Sequence, residues 1–236
     1  LNNGLADLFN TREAGNGEEA LEKLKDNEVD VIVTDVMMPV MDGIKLCKNV
    51  KQNIRTCHIP VIILSAKTDI KDQMEGLQMG ADDYIPKPFS LAILTTKIQN
   101  MMRTRRRMLD KYAKSLEVEP EKITFNAMDE ALLKRAMAIV EKNMDNIEFS
   151  TNEFAREMDM IRSNLHLKLK AITGESTIDF IRKIRFNEAA KLLKDGRYTV
   201  AEVSTMVGFN TPSYFATSFK KYFGCLPTEY IKKSKG

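Results

Sequence analysis

The sequence predicts an α/β domain built on a parallel, doubly wound sheet, followed by an all-α domain containing two helix-turn-helix units. Three observations carry that prediction. In the first hundred of the 236 residues, short β-rich apolar runs alternate with amphipathic stretches, the pattern of a parallel sheet with helices on its faces. Beyond Pro120 every segment reads as helix. Within that helical region a single pattern occurs twice, at an offset of 49 to 50 residues. The organisation expected is an α/β domain over 1–100, a helical connector and linker over 101–128, and the double helix-turn-helix domain over 129–236.

In chain order, Leu8 to Ala14 fits a first strand, followed by a helix over Glu18 to Asn27 with Ala20, Leu21 and Leu24 on one face. Val31 to Thr34 is a strand, then Gly43 to Gln52 a helix; Val61 to Leu64 a strand, then Lys71 to Met79 a helix; Tyr84 to Pro86 a strand, then a helix from Ser90. A doubly wound sheet presents its functional groups at the carboxyl ends of its strands. Three polar residues fall there: Asp35, Ser65 and Lys87.

The helix from Ser90 runs into RTRRRMLDKYAKSL, with Leu94, Ile98, Met101, Met108, Tyr112 and Leu116 at spacings of 4, 3, 7, 4 and 4. Two readings stay open: a seam for a partner helix, which Arg105 interrupts, or a solvated connecting helix with one packed end. Pro120 marks a break near 117–128. Beyond it, Ser150-Thr-Asn-Glu153 and Thr199-Val-Ala-Glu202 are both capping boxes, in which the hydroxyl accepts from the N3 amide and the Glu reaches back to the cap. Each opens a short helix, and at an offset of 50 follow Leu165/Phe215, Leu169/Phe219 and Gly174/Gly224. The second turn is therefore one residue longer than the first. Between the copies, Thr177 to Asp195 reads as one amphipathic helix.

Composition excludes collagen-like, low-complexity and wholly disordered classes, with 43% hydrophobic and 29% charged residues. The net charge of +3 is unevenly placed: −4 over residues 1–100, −1 over 101–160 and +8 over 161–236. A polyanion-binding surface is expected in that last third. Cys47, Cys57 and Cys225 stand in no metal-ligand or redox spacing, which fits a reducing cytosol. No run is long enough to span a membrane and no signal peptide opens the chain, so a cytoplasmic region is expected; the initial Leu suggests an upstream segment.

An Asp, a hydroxyl and a Lys converging on one sheet edge suit phosphoryl transfer, the carboxylate as acceptor and cations offsetting the charge. The segments Asp35-Val-Met-Met-Pro39-Val-Met-Asp42-Gly43, VIILSAK around Ser65, and Gly80-Ala-Asp-Asp-Tyr84-Ile-Pro-Lys87-Pro88-Phe89 resemble the receiver domain of bacterial response regulators. The resemblance implies Asp35 as phosphoacceptor, Ser65 as switch hydroxyl, Tyr84 as an aromatic that changes rotamer, Lys87 as the phosphoryl-contacting cation, and a cis Lys87-Pro88 bond. It also implies Mg2+ held by Asp35, the Met37 carbonyl and an acidic pair ending the family's first strand. Only 34 residues precede Asp35, too few for that strand, so the receiver is expected to lack it, to bind Mg2+ weakly and to accept phosphate inefficiently, unlike the intact protein. Pro86 is a smaller departure, removing a backbone donor at a strand end. The plainer readings are a strand-end cap for Asp35 and ordinary packing for Tyr84.

The second half, with Gly208-Phe209, Ser213-Tyr-Phe215, Phe219-Lys-Lys-Tyr-Phe-Gly224 and Pro227, resembles the AraC/XylS family of DNA-binding domains over residues 129–233. That family places the second helix of each unit in the major groove, the pair about 34 Å apart. Arg162, Ser163, Asn164 and His166 form the expected base-contact set of the first recognition helix, and Thr211, Ser213, Tyr214 and Thr217 that of the second. Lys168, Lys170, Lys220 and Lys221 are the phosphate candidates. Leu167 and Thr217 stand where many relatives carry Arg, and His166 also reads as a plain helix-surface residue.

Together the resemblances imply a transcriptional regulator of a two-component phosphorelay. Its expected partners are promoter DNA, a histidine kinase, separate or fused upstream in a membrane-anchored hybrid, and a second copy dimerising along 90–116. An alternative is a phosphorylation-independent DNA-binding and dimerisation module with a degenerate receiver. A phosphoenzyme using Asp35 for turnover lacks the second nearby Asp such chemistry needs, so no enzymatic activity is expected.

Overall fold

The computed structural model describes residues 2–66, 80–115, 118–124 and 126–234. The chain divides into two compact units, residues 1–110 and 111–236. In the first unit, α1 (Asn2–Leu5) and α2 (Gly17–Asp26) precede β1 (Ile32–Asp35), α3 (Gly43–Gln52), β2 (Val61–Ser65), β3 (Asp83–Pro86) and α4 (Leu91–Lys114), whose last turn enters the second unit. The strands form one parallel sheet in the order β1-β2-β3.

Strand β2 is central and all five of its residues are buried, as a strand covered on both faces must be. Side chains alternate across a strand. Val61 and Ile63 therefore join Leu46, Cys47 and Val50 of α3, with Ala20, Leu21 and Leu24 of α2 beside them. Ile62 and Leu64 join Leu5, Ile85, and Leu94 and Ile98 of α4 on the other face. Helices on both faces make the sheet doubly wound. Burial pushes the Cys47 thiol up to about 11, and all three cysteines are buried and free.

Residues 8–14 form no strand, correcting the expectation of one there. A β-strand exists only where its backbone groups find a ladder, and β1 is hydrogen-bonded to β2 alone among the described strands. The helix expected over Lys71 to Met79 lies outside the described residues, as does Leu116. Of the residues spaced along α4, Leu94 and Ile98 are buried against the sheet of their own unit and Tyr112 inside the second, so these three pack within the chain.

The second unit continues with α5 (Pro120–Ile123), α6 (Ala127–Lys142), α7 (Thr151–Glu157), α8 (Arg162–Thr173), α9 (Thr177–Asp195), α10 (Val200–Met206), α11 (Pro212–Phe223) and α12 (Pro227–Ser234). Both capping boxes are formed, Ser150 with Glu153 and Thr199 with Glu202. Four residues separate α7 from α8 and five separate α10 from α11, the longer second turn that the repeat offset requires. In the first turn Asp159 takes a left-handed φ of 55°; in the second, Gly208 takes 72°. Glycine is needed at 208 on two counts, since a Cβ there would also lie 2.5 Å from the Met144 carbonyl oxygen and 2.7 Å from the Arg185 guanidinium. That guanidinium donates to the Gly208 and Asn146 carbonyls at 2.9 and 2.7 Å.

Middle helix α9 serves both copies. Phe180 stacks on Phe154 at 6.2 Å in the first. In the second, Phe186 lies 5.2 to 6.4 Å from the rings of Phe209, Phe215, Phe219, Tyr222 and Phe223. Such aromatic contacts add to the burial of the rings themselves. The fully buried Lys183 of α9 donates to the Tyr112 carbonyl at 2.6 Å and to Glu175 at 3.2 Å, with its ammonium 3.5 Å from the Tyr112 ring centroid. The Tyr112 hydroxyl donates to Glu175 at 3.1 Å. Burial pushes the phenol and the carboxyl up and the ammonium down, and the closed set of contacts supplies each polar group a partner.

Candidate functional site

At the carboxyl end of the sheet, β1 ends on Asp35 and β2 on Ser65, and Lys87 directly follows β3. Asp35 pairs in register with Leu64, and Ser65 with Pro86. Pro86 has no amide to donate, and the Lys87 amide resumes the bonding by donating to the Ser65 carbonyl at 2.7 Å. The Lys87 ammonium forms an ion pair with Asp35 Oδ2, while Oδ1 accepts from the Met37 amide at 3.2 Å. Both side chains are about one-third exposed (36% each), so the carboxylate is neutralised yet reachable. Ser65 is buried at the neighbouring strand end. Tyr84 is half-buried and packs on the α3 side of the sheet. The Lys87-Pro88 bond is cis.

The loop after Asp35 is held tightly. The Gly43 amide donates to the Val36 carbonyl at 3.1 Å, and Asp42 caps α3 by accepting from the Lys45 amide at 2.7 Å. That hydrogen bond, foremost among its contacts, holds the Asp42 carboxyl below the usual range. A Cβ on Gly43 would lie 2.1 Å from the Asp35 carbonyl oxygen, so only glycine lets helix and strand end approach this closely. Val40 is 74% exposed at φ 63°, a conformation that strains a β-branched residue by about 1–3 kcal/mol. Val40→Gly is expected to stabilise the first unit by about 1 kcal/mol, raising its Tm by about 4–8 °C; an unchanged or lower Tm by calorimetry would show that no strain is stored there.

The described residues do not fit Mg2+. The ion takes near-octahedral oxygen coordination; one oxygen of Asp35 is held by Lys87 and the other by the Met37 amide. No group of three or more His, Cys, Asp or Glu side chains able to hold a metal occurs among the described residues.

In the second unit, α8 opens on Arg162 and Ser163, both exposed, with Asn164 and His166 half-buried. Along α11, Thr211, Ser213, Tyr214 and Thr217 are all exposed, and Lys170, Lys220 and Lys221 are exposed as well. Thr211 is also the α11 cap, accepting from the Tyr214 amide at 3.3 Å, and Thr217 donates to the Ser213 carbonyl at 3.0 Å. Lys168 is a correction to the phosphate set. It is 1% exposed, and its ammonium lies 2.6 Å from Asp129, itself 1% exposed. The helix turns it inward beside Leu165 and Leu169, where it ties α8 to the start of α6 and is out of reach of a phosphate.

Arg162, Ser163 and His166 line an open groove of about 460 Å³ together with Thr151 and with Ser176, Thr177 and Ile178 at the start of α9. His166 Nδ1 lies 3.4 Å from the Thr177 hydroxyl. Sequence reasoning missed Thr151 and the α9 residues. Ser176, which accepts from the Asp179 amide at 3.2 Å, follows Gly174 as a helix-start signal that could have pointed to them. It also missed Arg182, which donates to the Tyr214 hydroxyl at 2.7 Å and so joins α9 to the second recognition helix.

Residues 2–99 match the response regulator receiver domain family, and residues 154–233 a helix-turn-helix domain family. The chain joins a response regulator receiver domain to an AraC-type helix-turn-helix DNA-binding domain. It is 38% identical over 230 residues to "Histidine kinase P4" of Formosa agariphila, covering 98% of this chain and 17% of that protein. The chain therefore spans less than a fifth of that curated relative's length. Among solved structures, the receiver domain of a signal transduction histidine kinase from Syntrophus aciditrophicus is 34% identical, covering 44% of this chain and 79% of that one, with a TM-score of 0.42. The C-terminal domain of the two-component response regulator yesN from Fusobacterium nucleatum is 25% identical, covering 43% and 98%, with a TM-score of 0.41. Among the described residues, no helix is long and apolar enough to cross a membrane.

Proposed function

We propose that this chain is the output end of a phosphorelay: phosphoryl transfer to Asp35 controls binding of promoter DNA by α8 and α11. The observation that carries the reading is the Asp35–Lys87 ion pair at the sheet edge, on a chain that also holds two helix-turn-helix units. A carboxylate oxygen of Asp35 attacks the phosphorus of a kinase phosphohistidine, the P–N bond breaks and the imidazole leaves with a proton. Lys87 shifts from the carboxylate to the transferred group, whose charge it offsets, and the Ser65 hydroxyl donates to it. Engaging both residues biases the receiver between two states. The histidine kinase acts as a separate protein or from the same polypeptide.

The test is acetyl phosphate with Mg2+, applied to the full-length protein and its Asp35→Ala variant. Acid-labile modification of the first alone is expected; absence of Asp35-dependent modification would favour the phosphorylation-independent module. On the DNA side, Arg162→Ala is expected to cost about 1–3 kcal/mol, or roughly 5- to 150-fold in affinity, and to relax the preference at one base position. An unaltered preference in binding assays would remove Arg162 from the readers.

A further inference from the structure

We propose that Arg182 of α9 is the positioning residue of the second recognition helix: it fixes the Tyr214 hydroxyl as a hydrogen-bond donor, so that Tyr214 selects a base presenting an acceptor in the major groove and rejects cytosine. This rests on the DNA-binding reading of α11 and assigns what one of its residues reads. Arg182 Nη2 donates to the Tyr214 hydroxyl oxygen at 2.7 Å. A guanidinium carries donors only and stays charged, so the direction of that bond is fixed and the phenol oxygen accepts. With its oxygen engaged in this way, the hydroxyl keeps its proton to offer and has little left to accept with.

Further contacts hold both partners. Asp179, one helical turn before Arg182, places Oδ1 3.7 Å from Nη1 of the guanidinium, and its Oδ2 accepts from the Ser176 hydroxyl at 2.6 Å. The Tyr214 ring lies 6.0 Å from that of the buried Phe209, and the Tyr214 amide donates to the Thr211 cap at 3.3 Å. A side chain secured at both ring and hydroxyl has little freedom left to lose on binding. Tyr214 stands in the first turn of α11 and is 49% exposed, and the first turn is the part of a recognition helix that meets base edges. In the major groove guanine, thymine and adenine each present an acceptor, whereas cytosine presents only its N4 donor. A fixed donor facing that donor is unfavourable, so cytosine is the base excluded. Thr217, one turn further along α11, is set the opposite way. Its hydroxyl donates to the Ser213 carbonyl at 3.0 Å, which leaves it lone pairs for a donor and makes it an internal control that does not depend on Arg182.

The probe is the duplex that the wild-type chain selects, with each base pair of its second half-element replaced in turn. Wild type is expected to show a position where cytosine binds about 2- to 12-fold more weakly than guanine or thymine, the worth of one hydrogen bond, and Y214F should erase that difference. R182M should erase it too, because the freed hydroxyl can turn and accept from cytosine, while its helical circular dichroism and its preferences at the other positions stay as in wild type. R182K, which restores a cationic donor, should recover part of the discrimination. In the Y214F background R182M should change no preference, since the two residues act through one bond. An R182M variant that weakens all duplexes equally, as loss of a phosphate contact or of a structural tie would, or one that still shifts a base preference in the Y214F background, would overturn the proposal and leave the recognition-helix reading intact. A wild type that shows no sequence preference at all would sink both.

Discussion

Lys168→Met is expected to destabilise the second unit by about 3–5 kcal/mol, because it leaves the Asp129 carboxylate buried without its cation. The ammonium lies 2.6 Å from Asp129 Oδ1, and Oδ2 of the same carboxylate accepts from the Asn126 side chain at 2.8 Å. Removing the lysine takes away the cation that offsets a carboxylate only 1% exposed. A domain's stability is about 5–15 kcal/mol in total, and the loss should lower the Tm of this unit by about 10–20 °C. The double variant Lys168→Met/Asp129→Leu should recover most of that loss, since an apolar pair of similar volume is often as stable as a buried ion pair. Calorimetry of the two variants decides: if the single change costs less than about 1 kcal/mol, the low end for breaking any buried polar contact, or the double change is no better, the pair is not the tie between α6 and α8.

Gly43→Ala should damage the first unit and its site together. The added methyl would sit 2.1 Å from the Asp35 carbonyl oxygen, 2.9 Å from its carbonyl carbon and 2.9 Å from Thr34 Oγ1. The obstructing atoms are mostly backbone, so strand end and helix start must move apart. Overpacking of this kind costs about 1–3 kcal/mol, and the displaced Asp35 should lose its present alignment with Lys87. A lowered Tm together with slower modification of Asp35 by acetyl phosphate is the expected pair of results. Unchanged values of both would show that the loop accommodates a side chain. Val40→Gly, three residues earlier, is expected to act in the opposite direction, which separates local strain from general sensitivity of this loop.

Sequence alone made Asp35, Ser65 and Lys87 legible because strand ends are found from apolar runs, and the sheet then brings those ends together whatever lies between. The two helix-turn-helix units were legible for a similar reason: the capping boxes and the shift from a 49- to a 50-residue offset are local signals, and they set the lengths of the two turns. Lys168 was misread because its burial depends on Asp129, 39 residues earlier, and nothing in α8 itself announces that partner. The spacing along α4 left two readings open because it shows that Tyr112 is buried but not by what; its carbonyl meets Lys183, 71 residues away. Residues 8–14 carry a strand-like composition, but propensity cannot supply the neighbouring edge that makes a strand.

In the proposed function, one carboxylate at a sheet edge governs a two-headed DNA reader. The most direct test is selection of duplexes by the full-length protein, wild type and Asp35→Ala, with and without acetyl phosphate. The expected result is a motif of two half-elements about one helical turn apart, with an affinity that responds to the phosphodonor in wild type alone. A single half-element, or a response that persists in Asp35→Ala, would contradict it.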